Sequence, residues 1–320
     1  MTTILLGFDE DQIFDEHLAQ VKKLAPGAQV LVTRDPHAIE AVVEDIEIVA
    51  GWTPPDLVVS MPNLRWYQQW WAGIDWMMKY PEAVERDFIL TNASGVHAVA
   101  ISEQVFAFLL AFARGLPAAQ RAQQTKAWVQ ARGETLFELA DKTLVQIGVG
   151  AIGSRVVRLA AAFEMRVIGV RRNPLVGLWG VEKMIGPDQL LEVVPEADFV
   201  SAVIPMTRET QGLIDKRVFG RMKSSAYFVN IGRGGVVNET DLIDALQRGK
   251  IAGAGLDVFE TEPLPGDSPL WEMDNVLITA HYGGATPRYQ ERAMAIFLDN
   301  LRRYQAGESL RNVVDKKLGY

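Results

Sequence analysis

The chain has 320 residues, 48% of them hydrophobic, enough for a large buried core and for two domains as readily as one. Net charge is −8, with both signs interspersed and no Lys/Arg-rich run, which argues against a nucleic-acid partner. Cysteine is absent, which excludes disulfides, thiolate metal sites and a thiol nucleophile and fits a reducing compartment.

MTTILLGFDEDQ at the start has no basic segment, and its apolar run is too short for a signal peptide. The most apolar helical run, Val105 to Ala113, lies between Glu103 and Arg114 and is too short to span a bilayer. A cytoplasmic protein with no membrane partner and no metal site is expected. TILLGF (3–8) reads as a strand and residues 11–25 as a helix with Phe14, Leu18, Val21 and Ala25 on one face. AQVLVT (28–33), EIVAGW (47–52), LVVSM (57–61), WYQQWW (66–71) and FILTN (88–92) read as further strands. A strongly apolar helix is expected from about Ala98 to Gly115, packing in the core or against a subunit, and another from Pro117 to about Arg132. A second series begins with the strand TLVQIG (143–148), a helix from Ala151 to Glu164 and the strand RVIGV (166–170). DFVSAVI (198–204), YFVNIG (227–232), IAGAGLDV (251–258) and VLITA (276–280) continue it, with helices near 188–194, 215–222 and 239–248. After Pro287 a long helix runs to about Gly307. Strands separated by helices imply parallel sheets. The fold class is α/β, with two doubly wound parallel-sheet domains.

Gly148-Val149-Gly150-Ala151-Ile152-Gly153 joins a strand to a helix. In that context Gly148 permits a tight turn, Gly150 lets the backbone approach a pyrophosphate, and Gly153 lets the helix lie close to the sheet. The helix start then offers free N–H groups to the phosphates. The next strand ends on Arg171 and Arg172, where a fold preferring NAD carries an acidic residue for the ribose 2′-OH. A guanidinium there pairs with a 2′-phosphate, so NADPH is expected to be preferred over NADH.

Three later segments each place a reactive side chain after a strand: Arg233 in YFVNIGRGG, Asp257 and Glu262 in GLDVFETEPLP, and His281 in VLITAHYGGATP. Ligands of open α/β sheets bind outside the carboxyl ends of strands, so these residues are candidates for one crevice. Arg233 offers a fork of donors for a carboxylate and carbonyl oxygen. His281 is suited to proton delivery, and Glu262, if in contact, fixes its tautomer.

These residues resemble the D-isomer-specific 2-hydroxyacid dehydrogenases. The resemblance spans nearly the whole chain and rests on GVGAIG (148–153), VIPMTRETQGLID (203–215), NIGRGGVVNETDLIDAL (230–246), GLDVFETEPLP (255–265) and ITAHYGGATP (278–287). The short ending after the last helix is most similar to NADPH-using glyoxylate/hydroxypyruvate reductases. The resemblance implies a flavodoxin-like substrate domain, 1–97 with 291–320, and a Rossmann-type NADP-binding domain, 98–290, that includes dimerisation helices at about 98–132. It implies a catalytic set of Arg233, Glu262 and His281. It implies cofactor contacts from Ala151 and Ile152 at the pyrophosphate, Pro205 and Thr210 at the adenosine half, and Ile231, Gly232, Arg233, Asp257, His281 and Gly283 at the nicotinamide. LRWYQQWWAGID (64–75) is similar to the family's loop whose N–H groups hold the substrate carboxylate, which implicates Ala72, Gly73 and Ile74.

The implied reaction is NADPH-dependent reduction of a small anionic 2-oxo acid (glyoxylate, hydroxypyruvate or a larger one) to the D-2-hydroxy acid by a homodimer. Two alternatives stay open: reduction of a 2-imino acid to a D-amino acid, and a non-catalytic, nucleotide-sensing corepressor. His97 stands where relatives carry Asn and is expected as a contact at a helix start. Trp52, Trp66, Trp70 and Trp71 cluster near the carboxylate loop; they either pack the core or, as Trp52 suggests, line a pocket for a bulkier substrate.

Overall fold

The computed structural model describes residues 2–9, 13, 15–131, 133 and 136–318. It divides into two compact units, Met1–Val96 with Pro287–Tyr320, and His97–Thr286. The boundaries expected from sequence, at 97/98 and 290/291, stand one and four residues from these.

The first unit is a parallel sheet of β1 (Thr3–Gly7), β2 (Gln29–Val32), β3 (Ile46–Gly51), β4 (Trp66–Gln69) and β5 (Ile89–Thr91), in the order β2-β1-β3-β4-β5. Every residue of β1 is buried, as a central strand covered on both faces requires. Alternate side chains feed two core layers. Ile4, Leu6, Ile48, Ala50 and Trp66 meet Phe297 and Leu301 of the helix Tyr289–Gln305 on one face. Leu5, Val49, Tyr67 and Leu90 meet Leu57 and Val58 on the other. After that helix, Val313 bridges antiparallel to Thr91, and the Val314 N–H donates to the Leu90 carbonyl at 2.8 Å, which covers the edge of β5.

LVVSM is a helix, Pro55–Ser60, and not the expected strand. A short apolar run fits either element, and the paired prolines decide it by opening a helix with Pro55 in its first turn. The first helix begins at Asp15, and Val21 and Ala25 are buried as its face requires; Phe14 lies outside the described residues. The helix expected to reach Arg132 ends at Gln124, where Lys126 adopts a left-handed conformation; Arg132 itself lies outside the described residues.

The second unit holds β6 (Thr143–Ile147), β7 (Arg166–Val170), β8 (Lys183–Ile185), β9 (Phe199–Ala202), β10 (Tyr227–Asn230), β11 (Gly253–Leu256) and β12 (Val276–Ile278). All pair in parallel, in the order β12-β11-β10-β9-β6-β7-β8. The order reverses between β6 and β9, so their carboxyl ends open the crevice where such sheets bind ligands. The edge strand β8 was not expected, because three residues with one buried side chain leave no periodic signal. The apolar helix Ala98–Ala113 crosses this sheet. A Cβ at Gly255 of β11 would lie 2.6 Å from the Phe108 ring, so glycine lets the helix sit against the strand. Phe112 stacks on Tyr227 of β10 with centroids 4.5 Å apart, adding on the order of 1 kcal/mol beyond burial. Among the described residues no single helix is long and apolar enough to cross a membrane. The pair Ala98–Ala113 and Leu116–Gln124 passes that test only when joined across a 69° bend, and Val105, Leu109 and Phe112 of the first are core.

Candidate functional site

The glycine-rich turn follows β6. Gly148 has φ +90°, and a Cβ there would lie 2.2 Å from the Val203 carbonyl. A Cβ at Gly153 would lie 1.9 Å from the Gly148 carbonyl, so the helix Ala151–Ala162 approaches its own entry turn as only glycine allows. Gly150 differs: a Cβ there meets nothing within 4 Å. It opens the helix without a side-chain cap, leaving the first N–H groups to face that open side. A dinucleotide pyrophosphate fits this cradle, with Ala151 and Ile152 at the helix start. Buried Gln146 braces the turn through its Nε2, which donates to the carbonyls of Ile147 and Gly148, both at 3.2 Å.

Arg171 and Arg172 leave the end of β7. The Arg171 backbone N–H donates to Ile185 at 3.0 Å, and Arg172 Nη2 pairs with Glu209 Oε2 at 2.7 Å. Glu209 belongs to the loop after β9, where Thr210 Oγ1 donates to the Pro205 carbonyl at 2.7 Å. The basic pair and the Pro205–Thr210 loop, both expected at the adenosine half, are thereby joined.

β10 delivers Ile231, Gly232 and Arg233. Asn230, buried, accepts from the Gly232 N–H at 3.2 Å and donates to the Arg233 carbonyl at 3.1 Å, fixing the turn from beneath. Arg233 Nη1 donates to the Gly232 carbonyl at 2.9 Å. A Cβ at Gly234 would lie 1.7 Å from the Phe259 carbonyl, so this turn abuts the segment carrying Glu262. Glu262 Oε1 accepts from the Phe259 N–H at 3.0 Å, and Oε2 meets His281 Nδ1 at 2.7 Å. The His281 and Glu262 side chains are 50% and 35% exposed.

His281 has φ +53°, a left-handed conformation costly outside glycine. Its N–H donates to the Asp257 carbonyl at 2.8 Å. The buried Asp257 carboxylate accepts from Thr279 Oγ1 at 2.5 Å, from the Tyr282 N–H at 3.2 Å, and from the Gly283 N–H at 3.0 and 3.1 Å. It organises the His281 turn, and Gly283 has no room for a Cβ beside it.

His97 departs from its expected role. It precedes the helix Ala98–Ala113 but makes no capping bond; its Nδ1 instead meets the Gly284 carbonyl at 2.8 Å. Burial first, then the charges of Arg233 and His281, hold its imidazole below the usual range, against the opposing Gly284 bond.

In the first unit, the carbonyls of Trp71, Ala72 and Gly73 are all occupied. Gln69 Nε2 donates to Trp71 at 2.9 Å and to Gly73 at 2.6 Å, and Asn92 Nδ2 donates to Ala72 at 2.8 Å. In a trans peptide the next residue's N–H points opposite to the carbonyl. The N–H groups of Ala72, Gly73 and Ile74 therefore turn away from Gln69 and Asn92, as an anion-binding loop requires. Trp66 and Trp70 are fully buried core residues. Trp52, 36% exposed, stacks on Trp71 with centroids 5.0 Å apart and on Tyr289 at 6.1 Å.

Gln146, Asn230, Gln69 and Asn92 were missed from sequence. Each is a buried amide at or just beyond a strand end, and that pattern is the signal by which such residues are found.

A family profile described as D-isomer specific 2-hydroxyacid dehydrogenase, NAD binding domain, matches residues 106–283. The glyoxylate reductase of Korarchaeum cryptofilum is 35% identical over 289 residues, covering 88% of this chain and 86% of that protein. A D-isomer specific 2-hydroxyacid dehydrogenase from Xanthobacter autotrophicus Py2, solved with NADPH and MES, superposes with TM-score 0.84 at 30% identity and covers 99% of both chains. An NADPH-dependent glyoxylate/hydroxypyruvate reductase from Sinorhizobium meliloti, solved with NADP and sulfate, gives 0.84 at 28% identity, covering 100% of this chain and 99% of that one.

Proposed function

Because the chain belongs to the D-isomer specific 2-hydroxyacid dehydrogenase family, NAD(P)-dependent oxidoreductases acting on CH–OH groups, we propose that it reduces an anionic 2-oxo acid to the D-2-hydroxy acid, preferring NADPH to NADH, with His281 as proton donor. The observation that carries this reading is the 2.7 Å contact between His281 Nδ1 and Glu262 Oε2 on a turn built by Asp257. A carboxylate only accepts, so Nδ1 keeps its proton and Nε2 is the nitrogen that gives one up. When bound, the reduced nicotinamide supplies the hydride for the keto carbon. His281 then passes its Nε2 proton to the carbonyl oxygen and is left as the neutral Nδ1–H tautomer. Arg233 holds the carbonyl oxygen and carboxylate through its fork of donors. Within the first unit, the N–H groups of Ala72, Gly73 and Ile74 suit a carboxylate, and Trp52, stacked on Trp71, presents a partly exposed apolar edge.

Preference for NADPH is supported by Arg171, which stands where an NAD-preferring fold carries its acidic residue, and by Arg172, which would exchange its Glu209 partner for a 2′-phosphate. A homodimer is supported by Leu116, Trp128 and Val129, large apolar side chains exposed on and just after the helix that follows Ala98–Ala113. The test is a panel of 2-oxo acids, with and without an amine, assayed with NADPH and NADH side by side. Turnover without amine and faster with NADPH is expected. Turnover only with amine would move the acceptor to a 2-imino acid, and no turnover with any acceptor would overturn the reading.

A further inference from the structure

We propose that His97 is a positioning residue for His281: from the start of the helix Ala98–Ala113 it grips the Gly284 carbonyl and so holds the turn that aims the His281 imidazole. The inference rests on His281 being the proton donor. Four observations carry it. A carbonyl only accepts, so the 2.8 Å contact makes His97 Nδ1 a donor, with the ring in its Nδ1–H form. Gly284 is shaped around that ring, since a Cβ there would lie 2.8 Å from Nδ1 and 3.2 Å from Cγ.

The same helix grips the other end of the turn. Gln104 Nε2 donates to Thr279 Oγ1 at 3.4 Å, and Thr279 Oγ1 in turn donates to Asp257. Residues 97 and 104 are seven apart, about two helical turns, and so share a face. One helix thus holds residue 279 and residue 284 on either side of His281. The left-handed backbone of His281 needs such external restraint, because a non-glycine residue leaves that conformation when its surroundings relax.

His97 is also suited to stay uncharged. Burial first, then Arg233 and His281, weaken its hold on a proton, so it grips the turn as a neutral donor and adds no second cation beside the reacting groups. The two histidines are divided by surroundings: one faces a carboxylate, the other a backbone carbonyl.

The test compares His97→Ala, His97→Asn, Gly284→Ala and the double variant His97→Ala/Gly284→Ala, with His281→Ala as control. His97→Ala is expected to lower kcat roughly tenfold, as misplacement of a reacting group does, while KM for NADPH holds. In His97→Asn the amide NH₂ stands on the same side-chain carbon that bears Nδ1 in the native ring, so kcat should recover most of that loss. Gly284→Ala should be costly alone and nearly free beside His97→Ala, because the ring it would strike is gone. Equal kcat for His97→Ala and wild type, equal loss for the Ala and Asn variants, or additive losses would each overturn the proposal.

Ring ¹⁵N shifts give a readout independent of turnover. The chain has four histidines, and His281 is assigned by the signal lost in His281→Ala. The His281 signature of an Nδ1–H held by a carboxylate should weaken in His97→Ala and persist in His97→Asn; its persistence in both would overturn the proposal. Turnover retained by His281→Ala would instead reject the proton-donor reading, and the ring shifts would still decide for or against His97. If His97→Ala fails to fold, His97→Asn and Gly284→Ala carry the same comparison.

Discussion

Replacing Glu262 by glutamine keeps its size and changes one hydrogen-bonding role. Both carboxylate oxygens are in use, one accepting from the Phe259 N–H at 3.0 Å and the other meeting His281 Nδ1 at 2.7 Å. Glutamine has one oxygen and one NH₂ group to meet those two partners. If its oxygen serves Phe259, the NH₂ faces Nδ1, which must then accept, and the doubly protonated ring needed for proton delivery is disfavoured. If the oxygen serves His281, the NH₂ opposes the Phe259 N–H. The first arrangement satisfies both contacts but removes the ring's second proton, and the second leaves the Phe259 N–H facing another donor; either costs about 1–3 kcal/mol when buried. The side chains are 50% and 35% exposed, so solvent softens the cost and the lower part of the range applies. A loss of about 1–2 kcal/mol corresponds to a fall in kcat of about five- to thirtyfold. Steady-state oxidation of NADPH with a saturating 2-oxo acid measures it, and Glu262→Ala should be no better than Glu262→Gln. Wild-type kcat in Glu262→Gln would refute the hydrogen-bond logic.

Arg171→Asp should lower kcat/KM for NADPH at least tenfold more than for NADH, since a charge-assisted bond is worth about 1.5–3 kcal/mol and an aspartate repels the 2′-phosphate; equal losses with both cofactors would contradict the assignment. Gly153→Ala and Gly150→Ala should separate folding from binding. The first forces a Cβ to 1.9 Å from a backbone oxygen and should cost about 3 kcal/mol, seen as a Tm lower by several degrees. The second meets only open space, so Tm should hold while fluorescence titration shows weaker dinucleotide binding. His97 holds its proton less firmly folded than unfolded, so the unfolded chain gains the proton first as pH falls below about 6.5. The stability this histidine permits is full above that pH and declines below it. Melting curves from pH 7.5 to 5 should therefore show wild type losing Tm faster than His97→Asn, and parallel curves would contradict this.

What sequence made legible was local. The turn at 148–153 could be read because its strand and helix flank it directly, and Arg233, Glu262 and His281 because each follows its own strand. The supports of those residues are distant in the chain. His97 meets a carbonyl 187 positions away, and Gln104 meets Thr279 across 175, so neither partnership leaves a spacing to read. Gln69 and Asn92 act on carbonyls of the 71–73 loop, and their role depends on which way each peptide plane faces. LVVSM misled for a different reason: apolarity and β-branching over five residues fit strand and helix alike, and the two prolines before it outweighed them. The tryptophans divided by position along the chain, Trp66 and Trp70 fully buried in one core layer and Trp71, past the strand's end at Gln69, packed against the same layer but partly exposed.

In the proposed reaction His281 delivers the proton when a 2-oxo acid is reduced. The most direct measurement is single-turnover reduction with pre-bound NADPH in wild type and His281→Ala, alongside NADPH affinity by fluorescence. A positioned general acid contributes about a hundred- to ten-thousandfold, so the rate should fall by at least about a hundredfold while NADPH binding is kept. A His281→Ala variant that reduces the substrate at the wild-type rate would contradict the account.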